Sequence, residues 1–275
     1  MKPPAFDYIC ARTVDEITAT LQEHGSEARV LAGGQSLIAM LNMRLARPAL
    51  LVDLMRVEPL AQIIEETDAI TIPAAVRQSA AMAHPALKRD VPLLAAALPW
   101  VGHLQTRSRG TICGSVAHAD PSAEIPLCLV ALEGEVRLLT RRKRRRVTAE
   151  AFFTGVMATD REDDELVEAV AYPKRRPGAG YAFIEVGRRH GDFAIVACAA
   201  VVDAARMRLA VAGVADRPTA RDFPLLEGTA LDDALNAFAW ELRGSDDIHA
   251  TARYRRELVR QLGRKVLLEA AGCRS

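Results

Sequence analysis

The segment Ala28-Arg29-Val30-Leu31-Ala32-Gly33-Gly34-Gln35-Ser36-Leu37 constrains this chain more than any other. A short apolar run suited to a buried strand stops at two successive residues without Cβ, and helix-forming residues then continue to Leu45. A strand, a tight glycine turn and a helix start, in that order, aim backbone N–H groups at one point. With the Ser36 hydroxyl beside them, they suit a phosphate or diphosphate. The spacing is neither GxGxxG nor a Walker A loop, so it predicts neither a Rossmann nor a P-loop domain, and an ordinary tight turn fits the same residues. A second turn, Thr111-Ile112-Cys113-Gly114-Ser115, comes about eighty residues later with one glycine and two hydroxyls. Two converging loops hold the two charged phosphates of a dinucleotide better than either does alone.

The rest of the chain reads as α+β. Thr13 and Glu16 have capping-box spacing, and Val14, Ile17 and Leu21 share a helical face ending near Gly25. Leu50 to Leu54 reads as a buried strand, and Ile63-Ile64 and Ala69 to Ile72 as a hairpin about Glu65 to Asp68. Helices are expected over Ser79 to Leu87, Val91 to His103 and Pro121 to Leu132, and strands over Glu135 to Leu139, Arg146 to Thr148 and Leu166 to Ala171. Pro173 to Gly180, rich in proline, glycine and charge, is the best linker and places a domain boundary there. Beyond it, strands are predicted over Tyr181 to Val186, Phe193 to Val202 and Met207 to Val214. Helices follow over Leu231 to Leu242 and Ile248 to Ala271.

Composition excludes several classes. Half of the 275 residues are hydrophobic and 26% are charged, the balance of a folded globular chain, and 36 basic against 35 acidic residues give no field for nucleic acid or an anionic membrane. Cys10, Cys113, Cys128, Cys198 and Cys273 are scattered without a CxxC pair, which argues against a disulfide scaffold, a zinc knuckle or an iron–sulfur cluster. A reducing cytoplasm fits, and no apolar run of membrane-spanning length or export signal is read. Arg141 to Arg146 lacks interleaved aromatics and reads as a solvated hairpin tip.

After the second loop, Asp120 or Glu124 suits a ribose hydroxyl, while Asp120 ahead of Pro121 equally suits a helix cap. His118 has no partner at a diagnostic spacing and reads as structural. Arg188-Arg189-His190-Gly191-Asp192 reads as a charged turn, or as a polar strut near the cleft between domains.

Four segments in order resemble one family. Ala32 to Leu37 is similar to an AGGxSL loop, Arg107 to Ser115 to RNxGTxGGN, His118 to Pro126 to HADPAAELP, and Phe183 to Ala194 to FxxxxRRxGDFA. These are motifs of the FAD-binding medium subunits of molybdenum hydroxylases, such as carbon monoxide dehydrogenase and the xanthine dehydrogenase flavin subunit. The resemblance implies residues 1–174 as a two-lobed FAD-binding domain of the p-cresol methylhydroxylase type, and 178–275 as a smaller α+β C-terminal domain with an antiparallel sheet. It also implies a cytoplasmic oxidoreductase subunit that takes electrons from an iron–sulfur small subunit, itself fed by a molybdenum-cofactor large subunit, and passes them through FAD to an external acceptor.

The implied cofactor contacts are Leu31, Ala32, Gly33, Gly34, Gln35, Ser36, Leu37, Val101, Thr111, Cys113, Gly114, Ser115, Ala117, Asp120, Glu124 and Leu166, with no catalytic side chain and no metal ligand. Cys113 replaces the first glycine of the family's pair, and a Cβ there crowds a close phosphate approach wherever φ is positive. Ser115 replaces the family's Asn, and Ile184-Glu185 stands where some members carry a flavin-proximal lysine. Two other readings stay open: a stand-alone FAD oxidoreductase of this fold, and a nucleotide-binding or assembly module without flavin chemistry.

Overall fold

The computed structural model describes residues 2–274. The first lobe holds β1 (Asp7–Cys10), α1 (Val14–His24), β2 (Ala28–Leu31), α2 (Leu37–Asn42) and β3 (Leu50–Asp53), and its parallel sheet runs in the order β1-β3-β2. Thr13 caps α1 as the spacing predicts. Its Oγ1 accepts from the Glu16 amide at 3.1 Å, and Glu16 reaches back to the Thr13 amide, so two orphan donors at the helix start are satisfied together. Ile17 and Leu21 are fully buried, consistent with the expected face.

The second lobe begins with β4 (Ile64–Glu65) and β5 (Ala69–Pro73). There follow α3 (Gln78–Ala83), α4 (Pro85–Asp90), α5 (Pro92–Ala97), α6 (Leu104–Arg109), α7 (Ile112–His118) and α8 (Glu124–Ala131). It closes with β6 (Glu135–Leu139), β7 (Arg144–Thr148), α9 (Ala149–Phe152), β8 (Phe153–Gly155), β9 (Ala158–Thr159) and β10 (Leu166–Pro173). Its main sheet is antiparallel in the order β4-β5-β10-β6-β7. The helix expected over Ser79 to Leu87 is broken at Pro85, which starts α4 and cannot continue α3, and the one expected over Val91 to His103 is α-helical only through Ala97, where a 3-10 turn containing Pro99 ends it. At the basic hairpin, Arg144, Arg145 and Arg146 belong to the strand and pair with Glu168, Glu165 and Glu135, leaving Arg141 to Lys143 at the exposed tip.

The C-terminal part holds β11 (Gly180–Val186), β12 (Val196–Val202), β13 (Met207–Ala212), β14 (Thr219–Phe223), α10 (Gly228–Glu241) and α11 (Ala252–Gly272). Its antiparallel sheet runs β11-β12-β13-β14. All seven residues of β12 are buried because the sheet is covered on both faces, by α11 on one side and α8 on the other. Beyond Glu124 at its start, α8 is therefore apolar all round, every one of its residues buried. Arg255 ties the far layer together: Nη1 donates to the Ile195 and Gly213 carbonyls at 2.6 Å each, and Nη2 to Asp247 at 2.5 Å.

Candidate functional site: a cleft between the lobes

The two glycine loops touch. A Cβ built on Gly33 falls 2.1 Å from the Arg109 carbonyl oxygen and 2.6 Å from the Gly110 Cα, so only glycine lets the backbones approach this closely. Gly34 takes φ +71°, the left-handed turn that redirects β2 into α2. Among the described residues, no protein acceptor is recorded for the amides of Gly33, Gly34, Gln35 and Ser36, and the Ser36 hydroxyl does not cap α2. Unpaired donors at a helix start are what a diphosphate oxygen satisfies.

These loops border a cleft of about 740 Å³, within the range of small-molecule sites. Every residue of the expected contact set lines it except Leu31, whose place at the end of β2 leaves it behind the loop, beside Gly34. The second loop departs from its reading as a turn: Ile112 to His118 is α7, and Thr111 is its N-cap, with Oγ1 accepting from the Gly114 amide at 3.0 Å. Thr111 thus organises the helix start as much as it faces a ligand. Helical backbone also removes the objection to Cys113, because its φ is not positive, and its Sγ turns into the core and donates to the Ile72 carbonyl at 3.2 Å. Burial pushes that thiol well above its ordinary value.

Asp120 accepts from the Ser122 amide at 2.8 Å, and Ala123 rather than Asp120 precedes the helix. The expected helix start at Pro121 thus moves to Glu124, the intervening residues being held in an Asx turn. Glu124 is 4% exposed, and burial pushes its carboxyl up to about 7. His118 also lines the cleft, and burial holds its imidazole below the ordinary value while Asp120 opposes that shift.

Other lining residues escaped the sequence reading. The Gln78 backbone N–H donates to the Gly110 carbonyl at 2.8 Å, and its side-chain Oε1 is buried against Gly110 with no hydrogen-bond partner. Arg107 Nη1 donates to the Val101 and Gly102 carbonyls at 2.8 and 2.9 Å, fixing the loop that carries Val101. Arg29 and Arg161 both reach the cleft, and burial followed by repulsion from Arg29 lowers Arg161. No periodicity marks such residues, and only the strand position of Arg29 beside the glycine pair was a hint. Gly191 and Asp192, in the turn read from sequence either as a charged turn or as a polar strut near the cleft, line it together with Phe193. His190 stacks against Trp100 at 5.1 Å, and a Cβ on Gly191 would strike the His103 ring at 2.6 Å, so this turn is pressed onto the second lobe.

Residues 4–175 match the model of the FAD binding domain in molybdopterin dehydrogenase, and residues 181–270 that of the CO dehydrogenase flavoprotein C-terminal domain. The chain belongs to this FAD-binding family. The family chain is 35% identical to the 6-hydroxypseudooxynicotine dehydrogenase complex subunit alpha of Paenarthrobacter nicotinovorans over 98% of its own length and 96% of the relative's. It is also 35% identical to the carbon monoxide dehydrogenase medium chain of Hydrogenophaga pseudoflava, over 80% of itself and 78% of that chain. The fold matches a carbon monoxide dehydrogenase structure from H. pseudoflava that lacks the Mo-pyranopterin moiety, with TM-score 0.94, 30% identity and full coverage of both chains. A quinoline 2-oxidoreductase structure from Pseudomonas putida 86 matches at TM-score 0.91 and 31% identity over 99% of each chain. FAD is the cofactor of this family, and the chain is an oxidoreductase flavin subunit. The unpaired amides of the first loop and the cleft arginines fit that dianionic, hydroxyl-bearing molecule.

Proposed function

We propose that this protein is the FAD-binding electron-transfer subunit of a molybdenum hydroxylase, receiving electrons from iron–sulfur clusters in a partner and passing them to an external acceptor. The observation that carries the reading is the contact of Gly33 with Arg109 and Gly110, which joins two amide-bearing loops at one border of a ligand-sized cleft. Gly33 to Ser36 present donors to the diphosphate, with Leu37, Val101, Cys113 backbone, Gly114, Ser115 and Ala117 around it. Asp120 and Glu124 serve the cofactor's sugar region, and Leu166 packs beside the ring system. Bound FAD supplies the redox chemistry; the chain orients it, excludes water and keeps its charge compensated. Residues 1–174 act as the FAD-binding unit and 178–275 as the C-terminal unit, which closes the cleft with Gly191 to Phe193. A cytoplasmic complex with an iron–sulfur small subunit and a molybdenum-cofactor large subunit completes this reading, and the relatives are named as subunits of two dehydrogenases and a hydroxylase.

The test is purification of the chain alone and together with the products of its neighbouring reading frames. The chain alone should carry FAD that no hydroxylase substrate reduces, and the assembled complex should carry molybdenum and iron and show substrate-driven flavin reduction. Stoichiometric molybdenum on the chain alone, or flavin reduction by a small substrate without partners, would overturn the reading.

A further inference from the structure

The basic hairpin leaves one side of its backbone open. β7 pairs with β6 alone and ends the five-stranded sheet of the second lobe. Two hydrogen bonds fix which of its groups face inward: the Thr140 amide donates to the Lys143 carbonyl at 2.8 Å, and the Ala149 amide to the Gly134 carbonyl at 2.8 Å. Residues in an antiparallel ladder alternate between bonded and open pairs, so Arg145, opposite Leu138, and Val147, opposite Val136, turn their backbone groups toward β6. Arg144 and Arg146 turn theirs away, and among the described residues neither their amides nor their carbonyls have a partner. Two rungs of a ladder therefore face outward.

The side chains along that edge are cationic. Arg141, Arg142 and Lys143 are exposed at the tip, and among the described residues no acidic side chain pairs with them. The neighbouring carboxylates are used elsewhere: Glu165 and Asp160 hold Arg145 at 2.6 and 2.5 Å, Asp163 lies 3.7 Å from Arg161, and Glu66 and Glu135 bind Arg137 at 2.6 and 3.0 Å. Arg144 and Arg146, 71% and 69% exposed, reach Glu168 and Glu135 at 3.3 and 3.5 Å, surface pairs that cost little to exchange. Charge on an open edge selects what can pair with it. A second copy would lay arginine against arginine, which is repulsive across a strand pair. Nucleic acid would find no aromatic side chain from Arg141 to Thr148 on which a base could stack. An acidic strand satisfies the open ladder and the charge together.

We propose that β7 is a docking edge that takes an extended acidic segment of a partner polypeptide as one more strand of the sheet. The segment's backbone bonds the open groups of Arg144 and Arg146, and its carboxylates meet Arg141, Arg142 and Lys143. In strand addition the main-chain bonds give affinity and alternate side chains give specificity, while complementary charge speeds encounter and rejects wrong partners. The edge also communicates with the cleft: Arg145, in the middle of β7, is bound to Glu165, which lines the cleft wall, so a docked segment lies beside that end of the cleft.

The experiment uses the full chain and a fluorescein-labelled peptide of about eight residues that alternates glutamate and valine, within the ordinary length of a strand. The wild-type chain should bind it, with an affinity that falls as salt is raised. The triple variant Arg141→Glu, Arg142→Glu, Lys143→Glu should bind at least about tenfold more weakly, since like charges then face each other, and thermal unfolding should show its fold intact. The same peptide N-methylated on every second residue, in the phase that faces the ladder, should bind the wild type at least about fivefold more weakly. Hydrogen exchange locates the contact: the peptide should slow exchange of the Arg144 and Arg146 amides and leave that of Arg145, already bonded to β6, unchanged. Failure of the wild type to bind, a folded triple variant that binds as well as wild type, methylated peptide that binds as well as unmethylated, or Arg144 and Arg146 amides left unprotected would each overturn the proposal. So would tighter binding of a single-stranded oligonucleotide than of the peptide at the same tip, which would assign the charge to nucleic acid. If the triple variant does not fold, the methylated peptide and the exchange pattern decide on the wild-type chain alone.

Discussion

The residues that matter most are those whose replacement leaves no room. In Gly33→Ala the new Cβ meets backbone rather than a movable side chain, so the loops must part, at a cost of about 1–3 kcal/mol by overpacking. If the bound state carries that cost, FAD affinity should fall roughly fivefold to a hundredfold, since each 1.4 kcal/mol is a factor of ten, and fluorescence titration checks it. The cysteines give a second expectation. Cys113, Cys128 and Cys198 are buried and their thiols are raised by burial, whereas Cys273 is exposed and Cys10 half-buried. A thiol reagent should therefore modify only Cys273 and Cys10 in the native protein, and all five residues after denaturation; rapid reaction at Cys113 would show that its side chain faces the cleft. Much of the site at this scale was legible, because glycine pairs and hydroxyls leave a mark in sequence. Gln78 and Arg161 left none, and Arg29 only its place in the strand before the glycine pair, since a lone polar side chain acquires meaning only when the fold carries it to the cleft.

Among the elements, α7 shows how a cap and a ligand loop become one feature. Thr111→Val keeps the shape and removes the acceptor for the Gly114 amide, which should lower stability by about 1 kcal/mol. FAD binding should weaken with it, because the cap sets the backbone that faces the cleft; thermal unfolding and FAD titration on the same sample report the two effects. Sequence periodicity found α1, β2, β3, β12 and α11 because each buries a regular apolar face or a continuous apolar run. It missed α6 and α7, whose polar and glycine-containing residues look like loop, and β14, where the Thr219 to Asp222 stretch is only partly covered. Short helices held by their neighbours carry no signal of their own.

Across the whole molecule, two sets of carboxyl groups pull stability in opposite directions with pH. The Arg137 hydrogen bond holds Glu66 at about 2, so its contribution is present above the unfolded value of 4.5 and is lost as pH falls toward 2. Glu124 and Glu185 are raised, so theirs is present below 4.5 and is lost as pH rises through about 7 and 8. The cofactor-free chain should accordingly be most stable near about pH 5 and lose Tm in both directions, with Glu185→Gln flattening the alkaline limb. A Tm that rises steadily from pH 5 to pH 8 would contradict this assignment. The same scale holds the central claim, that the two loops clasp a diphosphate inside a cleft closed by the C-terminal part. Titration of the chain with FAD tests it most directly when ADP and riboflavin are added as competitors. One equivalent of FAD should bind, ADP should displace it, and riboflavin, which lacks phosphate, should not; riboflavin that competes while ADP has no effect would contradict the account.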